Sequence, residues 1–357
     1  SYLGGNVVAL YITSTESAGK TALCAGIGRK LLDRGTKVGF MMPIHLIKTG
    51  NTDGCEDAAF IKDNLKLTEP DELICPIRLT PHELWRNLTE DASNFSQNLK
   101  QAYRRISRGK DVVIMEGLGN LGVDKVSTLA CYTVADALEA GVIIVLHYSP
   151  NFDVSKIVQI GKKVKHLVGV IINLVPSSKI ETVGHQLAAS FNKAGIRVLG
   201  ILPEVRTLLG VSAGELAQVL GGEVLTSSEK TDEIVENIMV GAMTVDSGVM
   251  YFNRKENKAV VVRGERADMQ LAALETPTRC LIVTNNVKPL PFVIIRAQEK
   301  HVPIIMVKQD VSAALVGIEE ALTKASFRSR RKLEMFGKVL DSCFDYQALY
   351  SELGLKA

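Results

Sequence analysis

Val7-Val8-Ala9-Leu10-Tyr11-Ile12-Thr13-Ser14-Thr15-Glu16-Ser17-Ala18-Gly19-Lys20-Thr21 is an apolar run that feeds a hydroxyl-rich loop ending in Gly-Lys-Thr. Val7–Ile12 reads as a strand, and the A-L-C-A-G-I-G-R-K-L-L that follows Thr21 reads as a helix. This order builds a phosphate-binding loop. The strand end delivers the chain to a tight turn, and the backbone N–H groups of Ser14, Thr15, Ser17, Ala18 and the helix start are then available to phosphate oxygens. Gly19 permits close backbone approach, Lys20 reaches the β- and γ-phosphates, and the Thr21 hydroxyl is placed for Mg²⁺. The full pattern is G-x-x-x-x-G-K-[ST], and Ser14 stands where its first glycine belongs.

Working outward, the runs Val38–Met42, Val112–Met115, Val142–Leu146, Val168–Leu174 and Val198–Leu202 repeat the same short, nearly continuous apolar character. Helix-like stretches lie between them, among them Ala18–Arg34, Leu84–Arg108 and Lys179–Ala194. Such strands suit a parallel sheet buried on both faces, and the alternation predicts a doubly wound, mostly parallel α/β sheet of the P-loop type. Past Pro203 the pattern changes. Val211–Leu220 reads as a short amphipathic helix ending at Gly221–Gly222, Lys258–Val262, Leu281–Thr284 and Ile304–Val307 as strands, and Ala267–Leu274 as a helix. The expected organisation is a P-loop domain over 1–205, a smaller α/β domain over 206–325 and a C-terminal helical tail over 326–357. The basic start of that tail, Arg328-Ser329-Arg330-Arg331-Lys332, reads as a solvated helix face.

Composition narrows the classes. The chain has 357 residues, 46% hydrophobic and 23% charged, which suits a folded protein with a sizeable core. A formal charge of +3 and 5% aromatic residues give no basic footprint or stacking platform for nucleic acid, and no pull towards an anionic membrane. Apolar runs are too short for a membrane span, and the N-terminus lacks a signal-peptide pattern. Six scattered cysteines without a C-x-x-C read as buried, reduced thiols of a cytoplasmic protein.

In parallel sheets, ligands sit beyond the carboxyl ends of the strands, so the residues there are the candidates. The third apolar run ends M-E-G-L-G-N, placing Glu116 to hold Mg²⁺ or its water. The G-L-G-N-L-G that follows only superficially resembles a dinucleotide fingerprint, because it follows the wrong strand. Asp57, in E-D-A-A-F, is a second candidate magnesium carboxylate or a helix cap. Asn173, in I-I-N-L-V-P, offers an amide for an adenine edge, and Pro203, in G-I-L-P, a wall for the base pocket.

Together, S-T-E…G-K-T, F-x-x-P, E-D-A, M-E-G, I-N and G-I-L-P resemble the family of dethiobiotin synthetase and cobyrinic acid a,c-diamide synthase. They are most similar to the dethiobiotin-synthetase-like N-terminal region of bacterial phosphotransacetylase. V-S-A-G-E-L-A-Q-V-L-G-G-E-V-L, V-G-A-M, G-E-R-A-D-M-Q-L-A-A-L and L-I-V-T-N-N resemble the DRTGG domain that follows it there. The resemblance implies ATP and Mg²⁺, with phosphates at Gly19, Lys20 and Thr21, metal at Thr21, Asp57 and Glu116, and adenine at Asn173. It also implies a homodimer. The family's F-K-P lysine is Met42 here, and a thioether cannot supply its positive charge beside a transferred phosphoryl group. Lys48 is the candidate substitute, with an ordinary surface lysine as the alternative and favoured reading. The name-giving D, R, T, G, G appear as Glu265, Arg266, Thr284, Asn285 and Asn286. Asn tolerates left-handed backbone, so the turn can survive without its glycines.

Only about thirty residues follow the DRTGG-like stretch, so acetyl transfer is not expected of this chain. The expected function is a nucleotide-binding regulatory or accessory protein of acyl- or acetyl-phosphate metabolism, with an acyltransferase partner. The alternatives are an ATP-dependent ligase that activates a carboxylate by phosphoryl transfer, and a scaffold whose loop is a relic.

Overall fold

Residues 7–16, 19–47, 55–242, 245–323 and 330–355 are described in the structure, a computed structural model. The chain forms two compact units. One comprises 1–204 with 333–357, and the other comprises 205–332.

The first unit carries strands β1 (Val8–Ser14), β2 (Val38–Met41), β3 (Ile44–Leu46), β4 (Ile77–Leu79), β5 (Val112–Glu116), β6 (Gly141–His147), β7 (Leu167–Val175) and β8 (Val198–Pro203). Six of them form one sheet in the order β2-β5-β1-β6-β7-β8, and every neighbouring pair in it is parallel. β3 and β4 make a separate parallel pair. The six runs read from the sequence are the six strands of the large sheet. The burial explains their composition, because Leu10, Ile12, Val112, Ile114, Val142, Ile144, Val170 and Ile172 are all fully enclosed. Parallel strands covered on both faces need apolar residues at successive positions.

The stretch Leu84–Arg108 is two helices, Pro81–Glu90 and Ala92–Ile106. Asp91, with φ −137°, closes one and opens the other. The first begins with a capping box, in which Thr80 Oγ1 accepts from the Glu83 N–H and the Glu83 carboxylate accepts from the Thr80 N–H, with Pro81 in the first turn.

The C-terminal segment folds as helices Arg330–Cys343 and Tyr346–Glu352. Within the first unit it packs on the helix Lys20–Asp33. A Cβ built on Gly26 would lie 2.6 Å from Leu340 Cδ1, so a side chain there would require the leucine methyl to shift. Between the two helices, Phe344 makes an antiparallel bridge to Gly200 and the Asp345 N–H donates to the Leu199 carbonyl at 2.7 Å. The outer edge of β8 is thereby covered, which removes a template for strand pairing.

The second unit adds β9 (Val211–Ser212), β10 (Glu223–Val224), β11 (Ile234–Val235), β12 (Asn237–Gly241), β13 (Lys258–Arg263), β14 (Thr278–Thr284) and β15 (Ile304–Met306). Its sheet runs β10-β15-β14-β13-β12, parallel except for the β10–β15 pair. One face packs on a core that includes Leu216, Leu220, Ala314 and Ile318, and the other on Phe252, Met269 and Val293. The helix expected from Val211 begins at Ala213, because Ser212 is spent as its cap with Glu215 reaching back, and it ends at Gly221 with φ +57°.

The solvated reading of the basic stretch fails at its last residue. Lys332 is fully buried, its ammonium donates to the Gly210 carbonyl, and burial lowers its pKa. Arg331 is paired with Glu233 at 2.9 Å.

Candidate functional site

The loop after β1 hangs on the neighbouring strands. The Thr15 N–H donates to the Val145 carbonyl of β6 at 3.2 Å, and the Leu121 N–H reaches the Ser14 carbonyl at 3.0 Å. Gly19, with φ +78°, opens the helix Lys20–Asp33. A side chain there would be strained and would meet Asn173 Nδ2 at 3.2 Å, so the Asn173 amide of β7 lies against the loop. Asn173 is buried, and its Oδ1 accepts from the Leu174 N–H at 2.9 Å. Pro203 ends β8, opposite Val175. Ser17, Ala18 and Lys48 lie outside the described residues.

Ser14 is buried, donates its hydroxyl to the Glu16 carbonyl, and accepts from the Lys20 ammonium at 3.1 Å. The Glu16 side chain turns to His147 at the end of β6, with 3.5 Å between Oε2 and Nδ1. The Thr21 hydroxyl donates to Glu116 Oε1 at 2.8 Å. Glu116 is 5% exposed, and its Oε2 is buried with no hydrogen-bond partner among the described residues. Burial pushes its carboxyl up to about 7, the Lys20 charge and the Thr21 hydrogen bond pull it down, and the negative charge of Asp57 raises it again. Asp57 sits in the first turn of the helix Glu56–Asn64. Thr21, Glu116, Lys20 and Asp57, three of them more than thirty residues apart in sequence, therefore share one electrostatic site.

Glycines 117 and 119 are what the dinucleotide-like string is for. A Cβ on Gly119 would lie 3.2 Å from Lys20 Nζ, and one on Gly117 would lie 2.3 Å from Tyr11 Cζ. The missing side chains let the chain after Glu116 lie against the Tyr11 ring of β1 and close to the Lys20 ammonium. Tyr11 is fully enclosed, so Gly117→Ala is expected to cost about 1–3 kcal/mol of stability through overpacking. Urea unfolding of the variant measures it, and an unchanged midpoint would show that the ring gives way.

Among the described residues, no group of three or more His, Cys, Asp or Glu is arranged to hold a metal. The Thr21, Glu116 and Asp57 donors are oxygens of one hydroxyl and two carboxylates, the kind of sparse set that suits Mg²⁺ completed by phosphate and water. The Glu116 Oε2 fits that cation in particular, because this buried carboxylate oxygen has no hydrogen-bond partner among the described residues.

Met42 is buried, and its thioether sulfur lies 3.1 Å from the Cys55 thiol, which also faces His45 Nδ1 at 3.6 Å. Sequence reading missed this neighbourhood, since the three residues are spread over fourteen positions with no recognisable spacing. His147 was readable in principle, as a polar residue at a strand end on the same rim.

In the second unit the ends of β13 and β14, which lead into the two halves of the motif, lie side by side. Arg263 pairs with Thr284 in register, and Gln270 Nε2 holds the Arg263 and Gly264 carbonyls at 3.0 Å. Thr284 is buried, and its hydroxyl has no partner among the described residues. Asn285 and Asn286 both take left-handed backbone, with φ +65° and +54°, so the turn is kept without the glycines. The Arg266 guanidinium forks onto Asp268, 2.8 Å at its shortest.

Comparisons with known proteins agree with both units. The sequence profile described as AAA domain matches residues 8–211, and the profile described as DRTGG domain matches residues 215–321. The phosphate acetyltransferase of Nitratidesulfovibrio vulgaris is 24% identical over 93% of this chain, which spans 50% of that protein. The ATP-dependent dethiobiotin synthetase of Methanococcus vannielii is 23% identical over 54% of this chain and 92% of its own length. The chain thus spans half the length of the acetyltransferase it matches. Among solved structures, the CBS and DRTGG domains of the Clostridium perfringens pyrophosphatase regulatory region, complexed with diadenosine tetraphosphate, align at 22% identity. The alignment covers 31% of this chain and 47% of that one, with a TM-score of 0.28.

Proposed function

The chain belongs to this AAA-domain family, a P-loop fold that implies nucleotide binding, and from that premise we propose that its first unit binds ATP with Mg²⁺ as a regulatory or accessory protein of acyl- or acetyl-phosphate metabolism. Gly19, Lys20 and Thr21 take the phosphates, Thr21 and Glu116 the metal with Asp57 behind them, and Asn173 the base. One observation carries the reading: a buried carboxylate, Glu116, is bonded to the Thr21 hydroxyl through one oxygen and offers the other to no protein group among the described residues. A relic loop has no reason to keep a half-satisfied carboxylate facing Lys20, because burying it is costly. The second unit, with its DRTGG turn intact, is the sensing part of the proposal, and a homodimer and an acyltransferase partner belong to it as well.

Ligase chemistry is disfavoured by the packing at Met42. A buried thioether against a thiol leaves the second strand's end without a charge to steady a moving phosphoryl group. Isothermal titration with ATP and GTP, each with and without Mg²⁺, tests the proposal. Tighter binding of ATP with Mg²⁺, and no phosphate release in the presence of carboxylic acids, is the expected result. Turnover with one acid would replace the regulator with the ligase, and no binding at all would leave a scaffold.

A further inference from the structure

The segment after Glu116 meets the phosphate loop at Gly119 and Leu121, and its next residues, Gly122 to Asp124, line a separate cavity in the first unit. The helices Lys125–Ala137 and Val154–Gly161 supply its other walls, with Trp85 from the helix Pro81–Glu90. Its volume is about 450 Å³, a size that suits a small molecule. No residue of the phosphate and metal site lines it. The walls are apolar: Leu129, Tyr132 and Ile160 stand beside Trp85, which is 41% exposed. They are also preformed. Gly122 has φ +78°, its N–H donates to Thr128 Oγ1 at 2.8 Å, and a side chain on it would run into Ile160 Cδ1.

The charged residues around this cavity are mostly cationic. Lys125, Lys156 and Lys163 all line it, and none of the three makes an ion pair among the described residues. The carboxylates at the starts of the two helices are spent as caps. Asp124 Oδ2 accepts from the Ser127 N–H at 2.7 Å, and Asp153 Oδ1 accepts from the Ser155 and Lys156 N–H groups at 2.9 and 3.3 Å. Three like charges around one cavity repel each other, and an anion among them relieves that repulsion. We propose that the cavity is a binding site for a small organic anion with a flat apolar body. The body lies against Trp85 and Tyr132, where an open aromatic surface gains most from being covered. The carboxylate, phosphate or sulfonate lies among the three ammonium groups. A cation is repelled there, and a neutral apolar molecule leaves the lysines without a counter-charge.

Trp85 is the only tryptophan of the chain, so its emission reports on this cavity without background. The probe is 8-anilinonaphthalene-1-sulfonate, with N-phenyl-1-naphthylamine as its uncharged counterpart. The sulfonate is expected to quench Trp85 saturably at one site per chain, and the uncharged dye to bind roughly tenfold more weakly. The double variant Lys156→Gln, Lys163→Gln should weaken sulfonate binding by a similar factor and leave the uncharged dye unchanged. Both lysines are exposed, so the fold should be kept, and far-UV circular dichroism checks it. Absence of quenching, equal affinity for the two dyes, or an unchanged sulfonate affinity in the double variant would overturn the proposal. So would Trp85 emission that shifts with protein concentration alone as sedimentation shows a dimer forming, because a second copy of the chain would then cover this face.

Discussion

Lys20→Ala is expected to raise the dissociation constant for ATP roughly 10- to 150-fold, the loss of about 1.5–3 kcal/mol that attends removal of a hydrogen bond to a charged group. The ammonium is already positioned, held at 3.1 Å by the Ser14 hydroxyl and covered from the other side by Gly119. Little ordering remains to be done when phosphate arrives, so most of the contact energy appears in affinity. The substitution also removes the positive charge that lowers the Glu116 carboxyl, so Glu116 will stay protonated to higher pH and its use to a metal will shrink. Both ATP and Mg-ATP should therefore weaken, the second more. Calorimetry on the variant, with far-UV circular dichroism to show that the fold is kept, measures this. An unchanged dissociation constant would mean that the loop does not grip phosphate.

Glu116→Gln is expected to stabilise the nucleotide-free protein above neutral pH while abolishing the Mg²⁺-dependent part of ATP binding. The carboxyl sits at about 7 in the folded protein against an ordinary 4.5, so the folded state binds the extra proton between those values. Its stability contribution is fully present below about pH 4.5 and is lost as pH rises through about 7, a swing of up to roughly 3 kcal/mol. Glutamine cannot lose that proton and still accepts from Thr21, so the difference between the two proteins should open across this window in favour of the variant. Urea denaturation from pH 4 to 8.5 reads the swing. Saturating Mg-ATP should narrow the difference for the wild type only, since the cation compensates the buried charge. Parallel stability curves at every pH would show that Glu116 is solvated.

The strand ends were legible because burial on both faces leaves a plain record: an unbroken apolar run, then the first polar residue. Glu116, Asn173 and Pro203 were found that way, and the Gly-Lys-Thr sequence located the loop. Less legible was anything fixed by contact between distant side chains. The glycines after Glu116 serve Tyr11 and Lys20 rather than a dinucleotide, and only three-dimensional proximity reveals that. Asp91 splits a helical pattern whose periodicity continues on both sides of it. Lys332 is buried and donates to the Gly210 carbonyl, an outcome that charge composition argues against. Asn285 and Asn286 were the reverse case, where a known tolerance for left-handed backbone predicted the turn correctly.

The return of the C-terminal helices to the first unit has a consequence during synthesis. Chains emerge from the ribosome in order, and N-terminal domains commonly fold while the rest is still being made. Here the β8 edge and the groove at Gly26 wait for Leu340 and Phe344, which are translated only after the whole second unit. A nascent first unit that folds before they arrive has an open β8 edge, so a translation pause within 205–332 lengthens its exposure to edge pairing and chaperone capture.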